Sequence, residues 1–135
     1  MTTIHANAPR DALSRVETLV LTAGVELPLR AIREQIASAF DVVIQISRQV
    51  DGSRRVTHVT EVLRMESDVV TLQEIFSCKP VGASAGAMFD RPLPTGVRPQ
   101  FTAKLADAGV TIPPESFDPA PASYRLATVN AGRAS

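Results

Sequence analysis

The chain predicts a small α/β protein, α+β if it stands as an isolated piece, with helices packed on a small, mostly antiparallel sheet. Three observations carry this. Leu29, Ile32, Ile36 and Phe40 recur at helical spacing, Val42 to Ile46 is a β-branched run, and Asp51-Gly52 separates that run from a second one rich in valine. Helical periodicity that gives way to strand periodicity on both sides of a turn signal is the pattern of helices followed by a hairpin.

Thr2 to Ala6 reads as the end of a strand. Asn7 is expected to cap the first helix, with Pro9 near the first helical position, where its missing N–H costs nothing. Leu13, Val16, Val20 and Ala23 continue that helix, and Gly24 stops it where a left-handed residue is wanted. A second helix starts around Pro28. Its buried stripe is Leu29, Ile32, Ile36 and Phe40, with Arg30, Arg33, Glu34 and Gln35 on other faces.

Asp41 ends the second helix, and Val42-Val43-Ile44-Gln45-Ile46 begins the sheet. Arg54 to Leu63 forms the second arm of the hairpin through Val56, Val59 and Val62. Glu66-Ser67-Asp68 then turns the chain into a third strand over Val69 to Phe76. Residues 1–77 thus form the folded body. Residues 78–94 read as a linker rich in Gly, Pro, Ser and Ala, and 95–118 as a short helical segment. In that segment Phe101 and Leu105 lie one turn apart, and Gly109 is the stop. Residues 119–135 are expected to be disordered, because prolines and small residues leave little to bury.

A length of 135 residues suits one small core. Fourteen basic and fourteen acidic side chains cancel, so no global charge draws the chain to nucleic acid or anionic lipid. A lone cysteine, Cys78, forms no internal disulfide, in agreement with a reducing compartment. No run of about 18 apolar residues is present to span a bilayer, and the first residues do not read as a signal peptide.

Few residues offer chemistry. His5, at a strand end, is either a satisfied structural residue or one that needs a phosphate or a reactive water beside it. His58 sits mid-strand with no second ligand at metal spacing, so two histidines and one cysteine make no zinc site. Gly82-Ala83-Ser84-Ala85-Gly86 matches the nucleophile elbow of hydrolases, but Pro80 precedes it and no histidine follows, so it reads as linker. No Gly-x-x-x-x-Gly-Lys-Ser/Thr occurs, so the phosphate cradle of a P-loop is missing.

Thr2-Thr3-Ile4-His5-Ala6-Asn7-Ala8-Pro9-Arg10-Asp11-Ala12 nonetheless resembles the histidine box of secretion-type ATPases in the CpaF-like (Tad/Flp pilus assembly) branch of the type II/IV systems. Ala8 stands where the family usually has serine or threonine. The likeness extends over Arg30 to Ala39, Asp51 to Val62, Thr95 to Phe101 and Pro113 to Phe117. It implies the C-terminal half of a RecA-like P-loop NTPase core, with Walker A and Walker B supplied before the histidine box. His5 would then sense the γ-phosphate, with Thr3 and Asn7 fixing its surroundings. ATP and Mg²⁺ would belong to the full-length parent, with no cofactor expected for this chain alone. The parent would be a cytoplasmic homohexamer that docks on inner-membrane platform proteins. Arg10, Arg15, Arg30, Arg33, Arg48, Arg54 and Arg55 read as solvated surface or as groups that face a neighbouring subunit or nucleotide. The alternative is a free-standing, non-catalytic α+β interaction module.

Overall fold

Two helices open the structure and a meander of strands follows. The computed structural model describes residues 1–49, 51–78 and 91–119. Helices α1 (Pro9–Thr22) and α2 (Leu29–Ala39) precede strands β1 (Val42–Arg48), β2 (Arg54–Glu66) and β3 (Val69–Ser77). A two-residue strand β4 (Leu93–Pro94), helix α3 (Phe101–Asp107) and a 3₁₀ turn over Pro114–Phe117 complete the order. The four strands form one antiparallel sheet in the order β1-β2-β3-β4, a small α+β fold.

Cross-strand partners share a face of a sheet, and the register sorts the two faces. Val43, Thr60, Val62 and Leu72 turn toward α1 and α2. There Leu13, Ile32, Ile36, Val62 and Val70 form the buried cluster, flanked by Val16, Val20 and Phe40. Ile44, Val59 and Phe76 turn the other way, and Phe117 closes on Phe76 with ring centroids 6.0 Å apart. Two of the three register shifts insert Thr57 on β2 and Ile75 on β3, and these are 1% and 0% exposed. A bulge re-aims the side chain it inserts, and here it drives both inward.

Arg33 ties the helices to the sheet. Its guanidinium donates to both Glu17 carboxylate oxygens at 3.1 Å and to the Asp68 carbonyl at 2.8 Å, joining α1, α2 and the β2–β3 turn. On the opposite face, buried Glu61 accepts the backbone N–H groups of Gln100 at 3.0 Å and Phe101 at 2.8 Å. That carboxylate occupies the start of α3, where amides lack helical partners.

Several expectations need correction. Thr2 to Ala6 join no sheet. Asn7 does not cap α1: Pro9 is the first helical residue, so the cap falls on Ala8, which has no side-chain acceptor. Leu29 is 40% exposed because the sheet covers only the later turns of α2, at Ile32 and Ile36. Leu93 and Pro94, within the expected linker, pair with Ser77 and Phe76. The Gly82–Gly86 motif and residues 120–135 lie outside the described residues.

Candidate functional site

The predicted site residues lie along the chain that leads into α1. Exposure alternates strictly from Thr3 to Ala8: Thr3, His5 and Asn7 are exposed, while Ile4, Ala6 and Ala8 are half-buried. The alternation leaves Thr3, His5 and Asn7 outward and turns Ile4, Ala6 and Ala8 toward the body. The side chains of Thr3, His5 and Asn7 make no hydrogen bond among the described residues. The period of a strand is present without a strand's partner.

The reason is a gap. Thr2 to Ala6 form one wall of a cavity of about 290 Å³, and Val42 to Ile46 of β1 form the other. Ala12, Leu13, Val16 and Phe40 line it from the helix side. Gln45 Nε2 donates to the Ala6 carbonyl at 2.9 Å and holds the two walls at this separation. β1 is the edge strand of the sheet, and an edge presents a row of backbone donors and acceptors with no ladder partner. The cavity is therefore a slot with the Thr2–Ala6 segment on one side, the edge strand β1 on the other and an apolar floor.

A nucleotide does not suit this slot. No lysine or arginine lines it, and its walls are aliphatic apart from Thr2, Thr3, His5 and Gln45. Phosphate recognition needs converging amides and a cation, and the residues present supply neither. No group of three or more potential metal ligands exists among the described residues.

The remaining candidates fall into structural roles or onto the surface. His58 is mostly covered, with Nδ1 3.1 Å from Thr57 Oγ1 and Nε2 3.5 Å from Glu74, where it links β2 to β3. Arg33 is partly buried, and its hydrogen bond to the Glu17 carboxylate raises its pKa further. Arg30 bridges Glu34 and Asp68, and Arg55 bridges Asp51. Arg10, Arg15, Arg48 and Arg54 are exposed and form no ion pair among the described residues.

Sequence reasoning missed Glu61 and Gln45. Both sit in strands among apolar neighbours, and a polar residue at such a position is a signal that something distant must satisfy it. No family model matches the chain, and no curated protein matches it. No helix among the described residues is long and apolar enough to cross a membrane.

Proposed function

We propose that the chain is the C-terminal portion of a CpaF-like ATPase of Tad/Flp pilus assembly or type II/IV secretion. It contributes the histidine-bearing segment and an antiparallel sheet to a RecA-like core whose phosphate cradle lies elsewhere in the protein. The observation that carries the reading is the slot. A strand laid into it would bond to β1 on one side and to Thr3–Ala6 on the other, converting an alternating but unpaired segment into a sheet strand. It would also cover Ile4, which the described chain leaves half-buried.

On this reading His5 stands at the end of the completed strand, with Thr3 and Asn7 on the same side. Their exposure leaves all three able to reach a nucleotide held by other residues. The parent works as a homohexamer on an inner-membrane platform.

The coding sequence ahead of the Met1 codon tests this. An in-frame Gly-x-x-x-x-Gly-Lys-Ser/Thr is the expected finding. A promoter and ribosome-binding site directly before Met1, with no such frame, would overturn it in favour of a free-standing interaction module whose slot takes a strand from a partner.

A further inference from the structure

Strand β2 outruns its first neighbour. The register of β1 on β2 ends with Val42 opposite Glu61, and the Val62 N–H donates to the Asp41 carbonyl at 2.9 Å. From Leu63 to Glu66 no strand among the described residues lies on that side of β2, while β3 still pairs on the other, Met65 with Val70 and Glu66 with Val69. An edge without a neighbour is where an extended chain adds as a further strand. Within the same stretch the register with β3 shifts, so that Leu63 and Arg64 together stand opposite Thr71. A bulge re-aims a side chain, and Arg64 lines the cavity that borders this edge.

That cavity has a volume of about 510 Å³ and an apolar lining from Ala37 of α2, Phe101 of α3, and Val62, Leu63 and Met65 of β2. Its charges are matched within the chain, with one exception. Glu34 is paired with Arg30 at 3.2 Å, Asp41 with Lys104, and Glu61 with the two backbone amides at the start of α3. Arg64 is exposed and makes no hydrogen bond or ion pair among the described residues. The cavity thus combines a strand edge, aliphatic and aromatic walls, and one uncompensated positive charge.

We propose that this cavity binds a short extended segment of a partner protein. The segment adds to β2 along Leu63–Glu66, buries aliphatic side chains against the walls, and sets an aspartate or glutamate against Arg64. At about 3.3 Å per residue the free edge spans only about 13 Å, which limits the recognised segment to a few residues. Backbone pairing supplies affinity, and the single unmatched cation selects an acid over a base. The site shares no lining residue with the slot beside His5 and does not rest on the nucleotide reading.

Titration calorimetry of the whole chain with end-blocked peptides of about seven residues is the test. Valine and threonine alternate in them around a central glutamate, glutamine or lysine. The glutamate peptide should bind saturably, slow hydrogen exchange over Leu63–Glu66, and bind about tenfold or more tightly than the lysine peptide. R64E should reverse that preference, and its binding of the lysine peptide also shows that the variant is folded. Methylating alternate backbone nitrogens of the glutamate peptide should abolish binding in one phase of the alternation and spare it in the other, because only one edge of an added strand faces β2. Absence of saturable binding by all three peptides overturns the proposal, as does a preference that R64E leaves unmoved. Equal effects of the two methylation phases overturn it too, since they leave no role for the strand edge.

Discussion

Replacing Glu61 with glutamine tests whether one buried carboxylate fastens the C-terminal segment to the sheet. Glu61 is 4% exposed and accepts two backbone amides, from Gln100 at 3.0 Å and Phe101 at 2.8 Å. A hydrogen bond to a charged acceptor contributes about 1.5–3 kcal/mol. Glutamine keeps one oxygen for one amide and turns its NH₂ toward the other, donor against donor. The loss is one charge-assisted bond and part of the second, moderated because Glu61 borders an open cavity of about 510 Å³ through which water can reach the freed amide. We expect E61Q to cost about 2–3 kcal/mol, a large fraction of the roughly 5–15 kcal/mol that holds a domain of this size. Urea unfolding followed by circular dichroism gives the difference, and hydrogen exchange over Phe101–Asp107 shows whether α3 loosens first. A loss under about 0.5 kcal/mol, with exchange in α3 unchanged, would refute the clamp.

Three further outcomes are expected. Ile36→Asp should unfold the chain or drive it to aggregate, since Ile36 is 4% exposed in the central cluster and an unpaired charge there costs several kcal/mol; a cooperative, near-wild-type melt would contradict it. The Asp51 carboxylate accepts from the Ser53 N–H and hydroxyl at 2.9 and 2.6 Å, and these bonds, with Arg55 beside it, hold its pKa below the ordinary 3.8. A depressed folded-state pKa gives stability that is present above the unfolded value and lost as pH falls through the folded one. Asp51→Asn should therefore weaken the hairpin at neutral pH and flatten the acid limb of the stability curve, and superimposable acid limbs for the two proteins would rule this out. Purified chain should neither bind nor hydrolyse ATP, because no cation lines the slot beside His5; Mg²⁺-dependent turnover that disappears in His5→Ala would show otherwise.

The parts of the fold legible in the sequence are those that neighbours along the chain decide. The hairpin was readable because Asp51-Gly52 sits between β-branched runs, and Gly52 takes the positive φ of 83° that the turn requires. Ile32 and Ile36 were readable from their spacing, since a helix on a sheet must turn one stripe inward. Leu29 was misread for the same reason: spacing gives the stripe but not how far along the helix the sheet extends. β4 was missed because its pairing to Phe76 and Ser77 is long-range and its proline reads as a breaker. At the candidate site, Thr2 to Ala6 reads as a strand end, but a strand exists only with a neighbour, and the described chain places β1 across a gap instead. Glu61 and Gln45 act on amides and carbonyls some forty positions away, which no local pattern encodes.

The most direct test of the proposed function is the effect of His5→Ala on the longer protein proposed above, this chain joined to an in-frame segment that carries a P-loop. Steady-state kinetics should give a kcat lowered by about 10²-fold, in the range seen when a group that stabilises transition-state charge is removed, with nucleotide affinity nearly unchanged. An unchanged kcat would return His5 to a structural role and remove the ground for assigning the slot to a secretion motor.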